Sequence, residues 1–196
     1  MPKAEQTRAW IIEKAAPVFN TMGFAGTSLT DLEKATGLTK GSIYNNFKSK
    51  DEVAQAVFDH NLKQVSGLIH AEMSRHHSAK GQLLAYVKVY SEGVLKHPFP
   101  KGGCPILNTS VESDDTHPEL RKKAGAAVIA WKDRIMGLIK MGIENKEFRS
   151  PPDIEGTALT IVAAIEGAIV ISRATGKSSY LKAVMKSVKR IIEDLE

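Results

Sequence analysis

One cysteine in 196 residues leaves no partner for an internal disulfide, so the thiol content suits a reducing cytoplasm. The opening MPKAEQTRAW lacks the apolar core of a secretory signal, and no export is expected. Strand alternation longer than a few residues, internal repeats and low-complexity tracts are also missing, so the expected class is all-α. The six histidines offer no zinc spacing, since adjacent His76 and His77 point to different helix faces; no metal and no cofactor is expected. Charge of one sign is scarce where it would be most telling. The chain carries a formal +5, yet residues 1–60 hold seven Lys/Arg against seven Asp/Glu, so net charge is poor evidence for a nucleic-acid partner. The informative absence is local: from Leu38 to Lys50 there is no acid at all, and Lys40, Lys48 and Lys50 are free to neutralise phosphates.

What is present starts with 42% hydrophobic side chains, enough for a core in one domain or in one domain with a small head. Between Thr27 and Val53 two short helix signatures are joined by a glycine turn. Ser28 with Asp31 three residues on is a capping box that starts a helix near Leu29. Leu32 and Ala35 share one face of it, and Gly37 stops it. Thr39 can cap the next helix, whose Ile43 and Phe47 face inward and whose Lys40, Ser42, Tyr44, Asn45 and Asn46 face out. Ser49 and Glu52 form a second capping box that opens a third helix almost without a loop.

These residues resemble the tetracycline-repressor (TetR) family of bacterial transcription regulators. Its pattern is met by Gly26 and Thr27, by Asp31 and Leu32, by Gly37, Leu38 and Thr39, and by Lys40, Gly41, Ile43, Tyr44, Phe47, Lys48, Lys50 and Asp51. Glu33 stands where the pattern has a small alanine. The detailed match covers roughly a quarter of the chain. It implies a helix-turn-helix head at residues 1–50 and a helical ligand-binding and dimerisation domain at 51–196, about nine helices in all. The implied function is a ligand-responsive DNA-binding regulator, a repressor released from a pseudo-palindromic operator by a small molecule, and not an enzyme. Thr27, Tyr44 and Lys50 resemble the family's phosphate contacts, which fix register without reading sequence. Lys40, Ser42, Asn45 and Asn46 are base-edge candidates, because amides pair with adenine and lysine with guanine. Gly41 allows close approach to the duplex, and Ser28, Thr39 and Lys48 complete the DNA-binding set.

The remaining segments read as helices. Thr7 precedes Ile11, Ala15, Val18 and Met22, with Gly23 as the stop. A long helix runs from Ser49 through Val65 to Met73, another from Lys80 to His97 before Pro98, a short one follows Cys104, and a long one spans Pro118 to about Lys146. Past Ser150, Pro151 and Pro152, two helices cover about Asp153 to Ala174 and Ser178 to Leu195. The segment Ile154 to Ser172 carries charge only at Glu155 and Glu166. A carboxylate in mid-span costs about 2.5 kcal/mol or more, so a membrane span is not expected. Burial by its own core and by a second copy fits better, with Gly156, Ala163, Ala164, Gly167 and Ala168 permitting close approach. A homodimer would set two reading heads about 34 to 36 Å apart, over successive major grooves.

The resemblance places a small-molecule site in the C-terminal region. The candidates are Phe58, Leu62, Cys104, Leu107, Asn108, Trp131, Ile135, Glu166 and Val170. Glu166 is a carboxylate among apolar residues, which needs a pair, solvent or a ligand donor. Cys104, in KGGCPILN, has three readings: a small buried hydrophobe, an electrophile or redox sensor, and a thiol nucleophile with His97 or His117 as base. A lone cysteine without a resolving partner or acyl-enzyme signature fits the first best.

Overall fold

The computed structural model describes residues 2–94, 99–149 and 153–196. His97, Pro98, Ser150, Pro151 and Pro152 lie outside them. The described residues form nine α-helices: α1 (Lys3–Gly26), α2 (Leu29–Thr36), α3 (Lys40–Tyr44), α4 (Lys50–Met73), α5 (Ala79–Lys88), α6 (Pro105–Ser113), α7 (Pro118–Glu144), α8 (Ile154–Thr175) and α9 (Ser178–Glu193). The chain divides into two compact units, one of residues up to Val65 with Pro100–Ala124, the other of Ser66–Phe99 with Gly125–Glu196. Helices α4 and α7 contribute to both.

In the first unit α1 packs on α2 and on α6, and α2 on α3. Ile11, Ala15, Leu32, Ile43, Phe47 and Val53 are at most 1% exposed, as their three- and four-residue spacings require. Two features of α1 differ from expectation. It begins at Lys3, so Thr7 lies inside it and not ahead of it, its hydroxyl donating to the Lys3 carbonyl at 3.0 Å. Gly23 kinks the helix at φ 73° but one further turn follows, to Gly26. The third element is shorter than its apolar spacing suggests. Helix α3 ends at Tyr44, and Asn45 and Asn46 sit in the turn behind it, while Phe47 still donates its N–H to the Ile43 carbonyl at 3.0 Å.

In the second unit α9 packs against α8 and α5. Its Leu181, Met185, Val188 and Ile192 are buried at helical spacing, as are Ile161, Ile165 and Ile169 of α8. Asp153 caps α8 by accepting the Gly156 N–H at 2.8 Å, and Gly176 ends it in the left-handed conformation at φ 70°. Helix α5 runs unbroken into a π turn at Val89–Gly93, where a longer α-helix was expected. Helix α8 is long and apolar enough to cross a membrane by composition alone, and about a third of its most apolar stretch is buried inside the fold. Leu159, Val170 and Ile171 remain 44–46% exposed on its outer side.

Candidate nucleic-acid interface

The head is assembled from local capping. Ser28 accepts the Asp31 N–H at 3.2 Å and the Asp31 carboxylate accepts the Ser28 N–H at 2.9 Å, the reciprocal box read from the sequence. Hydrogen bonds from the Ser28 hydroxyl and then its backbone hold the Asp31 carboxyl below its ordinary range. Gly37 closes α2 at φ 70°, donating its N–H to the Glu33 carbonyl at 2.9 Å. Thr39 then caps α3, accepting the Ser42 N–H at 3.3 Å.

Helix α1 holds this motif from behind. Trp10 donates its indole N–H to the Thr36 carbonyl at 2.9 Å. Arg8 lies 3.9 Å above the centre of the Phe47 ring, donates to the Asn46 carbonyl, and pairs with Glu52 at 2.8 Å. The second capping box is therefore only half formed. Ser49 accepts the Glu52 N–H at 3.2 Å, but the Glu52 carboxylate accepts the Lys48 N–H at 2.7 Å and takes Arg8 as its other partner. Lys48's N–H first, and Arg8 second, hold the Glu52 carboxyl below the usual range.

The outward side matches the expectation in most places. Ser28, Thr39, Lys40, Gly41, Tyr44, Asn45 and Lys48 are exposed, and Ser42, Asn46 and Lys50 are half-exposed. A Cβ at Gly41 would meet nothing within 4 Å, so the space above α3 is open. Asn46 is partly committed, its amide donating to the Ser42 carbonyl at 2.9 Å. Thr27 is the clear departure. It is 0% exposed, and its hydroxyl donates to the Gly23 carbonyl at 2.6 Å, so this side chain braces the end of α1.

Helix α6 and the loop before it grip α1 by bonds with no signature in the sequence. The Glu112 carboxylate accepts the N–H groups of Phe24 and Ala25 at 2.7 and 2.8 Å. Asn20 donates to the Lys101 and Gly103 carbonyls at 2.8 and 2.9 Å, and Asn108 donates to the Asn20 and Gly102 carbonyls at 3.0 Å each. Asn108, a ligand candidate by sequence, thus ties a loop to a helix. His117 lies edge-on to Phe24 with centroids 4.7 Å apart, and Lys50 sits 4.3 Å from the centre of that same ring. His117 Nδ1 accepts the Leu120 N–H at 3.3 Å, which places the proton on Nε2, 2.7 Å from Asp51 Oδ1. Both ring nitrogens are thereby engaged, and neither is poised as a base for a thiol. Cys104 is 0% exposed at the start of α6.

The nine ligand candidates separate between the two units. Phe58, Leu62, Cys104, Leu107 and Asn108 belong to the first, and Trp131, Ile135, Glu166 and Val170 to the second. Phe58 lines a cleft with Phe19, Asn61, Glu112 and Leu120 whose volume, ≈ 30 Å³, suits a water molecule, not an effector. Val170 faces outward on α8 at 46% exposure. Trp131 is the most suggestive of the set. Tyr86 and Tyr90, neighbours on successive turns, lie nearly parallel to its indole at 17° and 14°, with centroids 6.0 and 5.3 Å away, and Phe99 meets Tyr90 edge-on. The Trp131 N–H is buried and has no acceptor among the described residues. Burial pushes the Tyr86 hydroxyl up to about 12. Ile135 is 0% exposed and Glu166 is half-buried on α8.

Residues 11–57 match the family model of bacterial regulatory proteins, tetR family, and residues 79–188 match that of a tetracyclin repressor-like C-terminal domain. A probable HTH-type transcriptional regulator, ArpR of Pseudomonas putida, is 28% identical over 174 residues, 85% of this chain and 80% of its own length. The HTH-type transcriptional regulator TtgR of Pseudomonas putida is 29% identical over 171 residues with the same coverage. A TetR-family regulator from Cytophaga hutchinsonii superposes with a TM-score of 0.95 at 47% identity, over 100% of this chain and 98% of that one. Another from Chloroflexus aurantiacus gives 0.92 at 35% identity, over 98% and 97%.

Proposed function

The chain belongs to the TetR family of ligand-responsive, DNA-binding transcriptional regulators, and from that premise we propose that it works in the cytoplasm as a homodimeric repressor of its own operator, with no enzymatic activity. The observation that carries the reading is the acid-free stretch from Leu38 to Lys50, presented on α3 and its flanking turns, with Trp10 holding the end of α2 before it and Arg8 the turn at Asn46 and Phe47 after it. Residues 1–50 act as the reading head and 51–196 as the effector and dimer region. Lys40, Ser42 and Asn45 meet base edges; Tyr44, Lys48 and Lys50 meet phosphates. The dimer forms through α8 and α9, where exposed Leu159, Val170, Ile171 and Tyr180 would otherwise face water.

The effector site is centred on Trp131. A flat, largely apolar molecule bearing an acceptor atom would stack against the aromatic rings and take the unpartnered indole N–H. Release follows if the effector prefers the conformer whose heads are wrongly spaced, and operator affinity falls by that preference alone. The test is fluorescence of a Trp10→Phe variant, in which Trp131 is the sole indole, titrated with flat aromatic carbonyl compounds, while release of a labelled duplex from the wild type is followed in parallel. Compounds that shift the emission and release the duplex support the site. Release that survives Trp131→Ala unchanged places the effector elsewhere.

A further inference from the structure

Helix α3 has five residues, too few to persist without outside support for its first N–H groups. Thr39 takes the Ser42 N–H at 3.3 Å, a long bond. The shorter bond comes from Glu33, whose Oε1 accepts the Lys40 N–H at 2.7 Å from seven residues upstream on α2. The backbone carbonyl of the same residue accepts the Gly37 N–H at 2.9 Å. Glu33 therefore holds both sides of the turn between the two helices, one with its main chain and one with its side chain. The residue so fixed, Lys40, is the first exposed side chain of the reading helix.

We propose that Glu33 is a specificity-positioning residue. Its carboxylate sets the approach of α3 so that Lys40, Ser42 and Asn45 meet base edges, and it acts through the Lys40 backbone. An acceptor oxygen 2.7 Å from the Lys40 N–H resists rotation of a helix whose own Thr39 cap bond is 3.3 Å long. An alanine here, the residue that the family resemblance expects, would leave the Lys40 N–H to water and the helix tilt to packing alone. The same carboxylate adds a negative charge at the edge of an otherwise acid-free surface, so it opposes phosphate binding while sharpening base reading. Position and charge can be separated, because glutamine keeps the acceptor oxygen and drops the charge.

The experiment compares wild type, Glu33→Ala and Glu33→Gln on a duplex that wild type selects from a random pool and on its scrambled counterpart, with thermal midpoints recorded alongside. The expected result is that Glu33→Ala loses about tenfold or more of the selected-to-scrambled affinity ratio. Glu33→Gln keeps that ratio, and both variants bind the scrambled duplex somewhat more tightly. An unchanged ratio in Glu33→Ala, or an equal loss in both variants, overturns the proposal. Should Glu33→Ala fail to fold, Glu33→Met, which has similar bulk and no acceptor oxygen, takes its place: a lost ratio supports the positioning role and a kept one contradicts it. The inference rests on the DNA-reading assignment of α3. The two fail differently, since a wild type that selects no duplex removes that assignment, whereas selection with an unaltered ratio removes only the role of Glu33.

Discussion

Glu112 binds the end of α1 by two consecutive main-chain N–H groups, those of Phe24 and Ala25, and does so where Gly23 breaks the helix at φ 73°. A Cβ on Gly23 would stand 2.5 Å from a Glu112 oxygen. The glycine and the carboxylate form one joint between α6 and the helix that backs the reading head. The joint has two expected consequences. Glu112→Gln can serve only one of the two N–H groups with an oxygen and should lower stability by about 1–2 kcal/mol. Gly23→Ala should cost at least as much, through both φ and collision. Urea unfolding read by Trp10 fluorescence in a Trp131→Phe background checks both; midpoints equal to those of the background protein would contradict the joint.

The division of labour on the head is open to a salt series. Lys50→Ala should weaken selected and scrambled duplexes alike and reduce the slope of log affinity against log salt by about 1. Tyr44→Ala should also weaken both, with less effect on the slope. Asn45→Ala should change preference at individual bases by about 1–3 kcal/mol and leave the scrambled duplex nearly unaffected. Uniform loss in all three variants would contradict the assignment.

Much of this head is legible in sequence because its bonds are local. Ser28 with Asp31, Gly37 and Thr39 announce themselves at spacings of a few residues, and Ile43 and Phe47 at one helical turn. The Ser49–Glu52 pair shows where such reading stops. Arg8, forty-four positions away, and the Lys48 N–H take the Glu52 carboxylate that a local rule assigns to Ser49. Glu112 with Phe24 and Asn108 with Asn20 are 88 positions apart and bond to main chain, which has no residue-specific pattern to recognise. Trp131 is legible as an aromatic candidate, but its ring contacts with Tyr86 of α5 and Tyr90 of the π turn join positions more than forty residues apart, which periodicity does not encode.

Acid should loosen the head early. The Asp31 and Glu52 carboxyls lie below their ordinary values of 3.8 and 4.5 in the folded chain, so the folded state binds fewer protons than the unfolded one around those values. Their contribution is complete above the ordinary values and is lost as pH falls through the lowered ones. The urea midpoint should therefore decline as pH drops below about 4.5, and by less in Glu52→Gln. A pH profile identical in wild type and Glu52→Gln would contradict this origin.

Cys104 is expected to be a packing residue. Cys104→Ser should retain duplex binding and release, and lower stability by about 1–3 kcal/mol through a buried hydroxyl. Diamide and methylglyoxal, applied to both proteins, provide the check. Release of the duplex from wild type alone would instead make the thiol a sensor of reactive electrophiles.

Two α3 helices of one dimer are expected to read DNA together. Selection of duplexes from a random pool by the full chain, followed by light scattering of the recovered complex, tests it most directly. The expected outcome is an inverted repeat whose half-site centres lie about one helical turn or a small multiple apart, each complex holding chains in pairs. Failure to enrich any sequence, or tight binding of an asymmetric site by a single chain, would contradict it.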